Sequence, residues 1–180
     1  MLSRTVYVGF STHRPRDWKW LVSWAIRKLQ RAPYSHVYVR FPSESLQRDL
    51  IYEASGTTVH FAGAESFARS SRVIKEYEVR VSQESFVHAL QWAIDNLGKP
   101  YGTRELLGAG WVCVGRMFGK KFRNPLGDGA RSFVCSELAA AVLGELGFTL
   151  GGDLDTQIPR DVDDFLATWK FPVRFPGPAR

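Results

Sequence analysis

The sequence predicts an α+β protein, a mainly antiparallel sheet flanked by helices, on three observations. Alternating or β-rich runs recur at 4–10, 35–41, 50–55, 57–61 and 72–81, the pattern of half-buried strands. The polar stretch 42–49 and the turn at Gly56 join their neighbours as hairpins, which makes the sheet antiparallel with roughly four to six strands. Runs at helical period follow at 83–97, from Cys135 to about Phe148, and at 159–169.

Each element has a local cause. Arg4 to Phe10 alternates with Val and Tyr. Pro15 sits near the start of a helix that runs to about Gln30, with Trp18, Leu21, Val22, Ala25 and Leu29 on one face and Arg27, Lys28 and Arg31 near its C-terminal end, where cations suit the macrodipole. Packing of that face on the sheet is the expectation; a helix lying on a membrane surface is the alternative. In the 35–41 strand His36, Tyr38 and Arg40 share one side, and Val37, Val39 and Phe41 the other. Ser82 caps the 83–97 helix, whose expected apolar stripe is Val87, Leu90, Ile94 and Leu97, with His88 on the opposite, solvent-facing side. Residues 104–118 are apolar and glycine-rich and read as a helix, and 120–129 as a basic loop. Pro159 opens the last helix, with Val162, Phe165, Leu166 and Trp169 expected inside. A single domain over 1–180 is expected, its core spanning about 4–170 and an extended tail 171–180.

Composition narrows the function classes. Hydrophobic residues at 44% and charged residues at 23% are those of a globular protein, and six Trp with twelve Phe make aromatic burial a large contributor to the core. The net charge of +6 suits an anionic polymer or lipid, but the basic residues are dispersed and no nucleic-acid-binding motif accompanies them, so no nucleic-acid partner is expected. Two cysteines, Cys113 and Cys135, are too few for a disulfide framework, and without paired histidines nearby they make a poor zinc site. No metal and no cofactor is expected. The first ten residues lack an apolar signal region and no 18-residue apolar stretch occurs, so the expectation is a protein that is cytoplasmic as synthesised.

The residues that carry chemistry centre on the stretch from Phe133 to Leu143. Read at helical period, Cys135 heads a face continued by Leu138, Ala139, Val142 and Leu146, and Gly144 and Gly147 bring the helix to an end. A thiol in the first turn benefits from unpaired N–H groups and the macrodipole; it is equally the position of a small buried hydrophobe. A thiol nucleophile needs a base, and the base a third group to hold it. His36 lies on a strand whose hairpin neighbour carries Glu53. If the two share a face, Glu53 accepts one ring N–H and leaves the other nitrogen for Cys135; the same placement also describes an ordinary cross-strand polar pair. His13 falls in a loop, and His60 in a short strand without an obvious partner.

The order Ser35-His36-Val37, Tyr52-Glu53-Ala54, Lys99-Pro100-Tyr101-Gly102 and Cys135-Ser136-Glu137-Leu138 resembles the circularly permuted branch of the NlpC/P60 papain-like superfamily, which includes YiiX-type and lecithin:retinol acyltransferase-type proteins. The resemblance spans about Val6 to Phe165. It implies a papain-like fold with the nucleophile at a helix N-terminus, Cys135 as nucleophile, His36 as general base and Glu53 as the orienting acid. It also places Tyr101 in the site lining and Ser136 next to the nucleophile, where its N–H or that of Cys135 would serve an oxyanion hole. This chain has Gly102 where the family's Gly-x-Pro-Tyr-Asp pattern has aspartate.

Three functions are compatible with these residues. The first is a cysteine hydrolase that cleaves an amide bond through a thioester, with peptidoglycan peptides or related isopeptides as substrate; it would reach the wall by lysis, in a phage particle or by a dedicated secretion route. The second is a lipid-directed acyl hydrolase or acyltransferase that contacts a membrane surface through the 16–30 helix and the 106–114 stretch. The third is a binding module, phage-borne or cellular, that keeps the scaffold without turnover. A fold that hosts many chemistries does not choose among them.

Overall fold

The computed structural model describes residues 3–15, 19–102 and 132–175. In chain order the elements are β1 (Ser3–His13), α1 (Lys19–Gln30), β2 (His36–Ser43), β3 (Arg48–Ser55), β4 (Thr58–Gly63), α2 (Ala64–Ser70), β5 (Ser71–Ser82), α3 (Gln83–Asp95), α4 (Cys135–Glu145), a 3-10 turn (Leu154–Thr156), α5 (Pro159–Thr168) and β6 (Val173–Arg174). The five expected strands are present, each somewhat longer than its alternating run. Short α2 and the two-residue β6 carry too little periodicity to be read from sequence. The stretches 104–118 and 120–129, with Cys113, and Trp18 lie outside the described residues.

The strands form one sheet in the order β4-β3-β2-β1-β5-β6, every pair antiparallel, so the α+β expectation holds. Strand alternation gives the sheet two unlike faces. Val6, Val8, Phe10, Val37, Val39, Phe41, Tyr52 and Val79 are buried in one cluster with Phe86 and Ala93 of α3, Leu138, Val142 and Leu143 of α4, and Val162 and Leu166 of α5. On the other face a small cluster, Tyr38, Ile51 and Phe67, is covered by α2. Beside it Arg40 makes a two-pronged ion pair with buried Glu76 (2.9 and 2.6 Å) and lies 3.7 Å over the Tyr7 ring.

Two helices, α1 and α3, are oriented differently from their sequence pattern, and α5 departs from it only at the residue after its end. In α3 the buried residues are Phe86, Ala89 and Ala93, whereas Val87, Ile94 and Leu97 are exposed. Two alanines one turn apart let the helix lie close to its neighbours, and close approach outweighs the larger residues of the expected stripe. In α1 the expected sheet-facing Leu21 is 57% exposed and Trp24 47% exposed. The side turned inward carries Ser23, which bonds Thr12 (3.0 Å) and Ser35 (2.6 Å). In α5 Val162 and Leu166 are buried as expected, but Trp169 is 54% exposed and stacks on Phe171 with ring centroids 6.2 Å apart.

The β1–β2 pairing sets Gly9 opposite Tyr38, whose ring lies across the glycine; a Cβ at Gly9 would sit 2.1 Å from the ring. Gly9→Ala is therefore expected to destabilise the protein by about 1–3 kcal/mol in chemical denaturation, the range for overpacking a rigid site. Truncating Tyr38 in the same chain should recover part of that loss.

Candidate active site

Helix α4 starts at Cys135 because Val134 is extended (φ −90°, ψ 162°) and Gly102 N–H, donating to Phe133 O at 3.1 Å, pins the preceding residues to the 100–102 segment. Val134 has no side-chain acceptor, so its helix start uses half of a capping box: the Glu137 carboxylate accepts from Val134 N–H at 3.2 Å. The first two turns are buried nearly all round, Cys135 included. The sulfur thus sits at the end of the helix where unpaired N–H groups favour negative charge.

His36 opens β2, and the residues before it are fixed. Ser35 N–H donates to Ser11 O at 3.0 Å, the Gln30 side chain donates to Tyr34 O, and the Tyr34 hydroxyl donates to Asp163 of α5. Asp163 also accepts from Tyr77 (2.7 Å) and pairs with Lys75 (2.5 Å). Across the hairpin, His36 Nε2 lies 2.7 Å from Glu53 Oε2. The register aligns Val39 with Tyr52, so one residue further Tyr38 stands opposite Glu53. His36 is therefore the diagonal neighbour of Glu53 on one face, within reach of long side chains. A carboxylate only accepts, so Nε2 carries hydrogen and Nδ1 is left for Cys135, with which the His36 ring is hydrogen-bonded.

Electrostatics follow this row. Burial disfavours the His36 charge, but the negative charge and hydrogen bond of Cys135, joined by Glu53, more than offset it and raise His36 to about 10. For Glu53 burial acts upward, yet hydrogen bonds from His36 and His60 lower it to about 2. Burial, together with the charges of Cys135, Glu137 and Glu53, pushes the Tyr101 hydroxyl well above the usual phenol range, so it stays neutral beside them. Tyr101 is held at the start of α4 by its bridge to Phe133 and its N–H bond to Thr57 O (2.8 Å).

The structure thus brings Cys135, His36, Glu53 and Tyr101 to one place. The hydroxyl of Ser136 is buried and donates to Gln157 O at 2.7 Å, so it ties α4 to the turn before α5 and leaves the residue's N–H, not its side chain, for a substrate. Sequence reasoning passed over His60, whose Nε2 lies 3.4 Å from Glu53 Oε1. The signal was present. Gly56 and Thr57 form a two-residue turn with Gly56 at φ 67°, which sets Ser55 opposite Thr58 and hence Glu53 opposite His60. Among the described residues no three His, Cys, Asp or Glu are grouped to hold a metal, and no helix is long and apolar enough to cross a membrane.

A six-stranded antiparallel sheet with the helix headed by Cys135 packed on it defines an α+β fold. The particular resemblance is to the crystal structure of metalloprotein yiiX from Escherichia coli O157:H7, with TM-score 0.54 and 19% identity over 83% of this chain and 69% of that one. The YiiX-type fold read from the sequence is therefore the fold observed. No family model and no curated protein matches the chain.

The two shifts define a pH window for stability. Glu53's contribution is complete above about 4.5 and is lost as pH falls toward about 2; that of His36 is complete below about 6.5 and is lost as pH rises toward about 10. The His36–Glu53 coupling, from a double-mutant cycle with His36→Ala and Glu53→Ala in urea, should be greatest between pH 4.5 and 6.5 and weaken on both sides.

Proposed function

We propose that the protein is a cysteine hydrolase that cleaves an amide bond through a thioester, with peptide stems of cell-wall polymers as substrate. The observation that carries this is the sequence of contacts at the head of α4: a buried thiol on one nitrogen of His36 and a buried carboxylate on the other. In this reading His36 holds Cys135 as thiolate, the sulfur attacks the carbonyl carbon, and a C–S bond forms as the carbonyl π-pair moves to oxygen. The free N–H groups of the first turn, those of Cys135 and Ser136, face the developing oxyanion. Collapse breaks the C–N bond while His36 gives its proton to the leaving amine. Water, deprotonated by His36, then releases the acyl group. Glu53 fixes the ring through both steps. The net charge of +6 favours an anionic polymer.

The yiiX structure is described as that of a metalloprotein. The described residues do not fit a metal: His36 and His60 each turn a ring nitrogen onto the Glu53 carboxylate that would otherwise ligate.

With Cys113 replaced by serine throughout, His36→Ala should slow iodoacetamide alkylation of Cys135 at pH 7 by at least about tenfold. It should also slow release of amines from muropeptides by about 10²–10⁴-fold. Alkylation indifferent to His36, with no amine released, would sink the hydrolase and leave a binding module on this scaffold.

A second reading draws on one observation. Leu21 and Trp24 are exposed on the same side of α1 as Lys28, an apolar and basic stripe of the kind that lies on anionic lipid. It predicts that the wild-type chain co-sediments with phosphatidylglycerol vesicles and cleaves acyl esters, and that Leu21→Asp with Trp24→Asp abolishes the binding.

A further inference from the structure

Two imidazoles share one carboxylate in this protein. Glu53 has two oxygens and a single negative charge; Oε2 faces His36 Nε2 at 2.7 Å and Oε1 faces His60 Nε2 at 3.4 Å. The second nitrogen of His60, Nδ1, lies 3.1 Å from Thr58 O. A carbonyl and a carboxylate can only accept hydrogen bonds, and a neutral imidazole has one N–H to give. A ring set between two acceptors meets both only when both nitrogens are protonated.

We propose that His60 is a fourth member of the row Cys135, His36, Glu53: a positioning residue that, as an imidazolium, holds Glu53 by its second oxygen and limits that carboxylate's pull on His36. The proposal rests on the hydrolase reading for its consequence in reactivity, and on hydrogen-bond chemistry alone for the charge of His60. The four groups then alternate in sign from the sulfur outward, and their charges cancel. β4 is the edge strand of the sheet and 40% of the His60 side chain is exposed, so the far end of the row meets solvent.

The groups around His60 agree with this assignment. Its hydrogen bond to Glu53 raises it above the usual histidine range, against burial and against the like charge of His36. On α2, packed beside β4, Glu65 and Arg69 are exposed. Lys99, whose carbonyl accepts from Val59 N–H of β4, turns its ammonium over the Phe133 ring at 5.1 Å. Tyr101, near Glu53, is neutral.

The experiment is nitrogen NMR on the full chain with labelled histidine, paired with alkylation of Cys135 in His60→Gln and His60→Ala. Glutamine keeps a donor for Glu53 without the charge; alanine keeps neither. Expected at pH 7 is a wild-type His60 protonated on both nitrogens. In His60→Gln, Glu53 lends its whole charge to His36, so His36 should titrate at higher pH than in wild type while alkylation stays close to the wild-type rate. In His60→Ala, Glu53 loses its second anchor and alkylation should fall on the order of tenfold, the lower end for outer partners of a reactive group. A neutral His60 at pH 7, an unmoved His36 titration in His60→Gln, or wild-type alkylation in His60→Ala would each overturn the assignment. The two failures are separable. Alkylation that ignores His36→Ala defeats the hydrolase reading, whereas a neutral His60 beside a His36-dependent Cys135 defeats only the fourth member.

Discussion

A carboxylate with less than a tenth of its side chain exposed cannot keep its charge without partners, and Glu53 obtains them from both strands that flank it. β2 brings His36 from one side and β4 brings His60 from the other, so the charge is compensated only when both hairpins are in register. A one-residue slip of either strand would turn its histidine to the opposite face and leave the buried carboxylate with one partner of the two. The order β4-β3-β2 and the polar row are in this sense one constraint. The apolar face of the same strands enforces it from the other side, because the slip would also carry Val37, Val39 and Tyr52 out of the core.

The sulfur must meet this row from a different layer of the molecule. Helix α4 is fixed along its axis by contacts that are not apolar: the Ser136 hydroxyl on Gln157 O and, just before its start, Phe133 O on Gly102 N–H. Buried apolar packing alone has little directional preference, so a helix held only by Leu138, Val142 and Leu143 could slide or rotate at small cost. Directed hydrogen bonds in and just before the first turn remove that freedom where it matters. The Asp163 cluster does the same for the other partner: it joins α5 to Tyr34, two residues before His36, and to Lys75 and Tyr77 of β5. The polar interior of this protein is concentrated where two elements must be aligned for a third group to work.

At 19% identity to yiiX the shared property is the fold, and the chemistry of this chain has to be argued from its own side chains. Those side chains set Cys135 against an imidazole that is backed by a buried carboxylate. The surroundings of the site include Gly102, which is used through its backbone N–H, donated to Phe133 O. The exposed aromatic and apolar residues of α1 make its outer surface unlike that of an ordinary solvated helix.

Periodicity and short turns were enough to read the sheet, the helix headed by Cys135, and the facing of His36 and Glu53, because each depends on residues a few positions apart. The partnership of His60 with Glu53 was equally local, set by the two-residue turn at Gly56-Thr57, and needed only the register to be followed. Other features had no local signal. α3 turns Ala89 and Ala93 inward in place of Val87 and Ile94, since the depth of the groove it fills is decided by the sheet and by α4. Ser136 points inward because Gln157, 21 residues on, offers a carbonyl there. Tyr34 is anchored by Asp163, 129 residues away. Sequence by itself determined which elements form and which residues can carry charge or sulfur chemistry, through backbone period and side-chain type. Tertiary structure alone decided which helix faces are buried and which polar groups meet, because packing depth and long-range hydrogen bonds exist only once the layers are assembled.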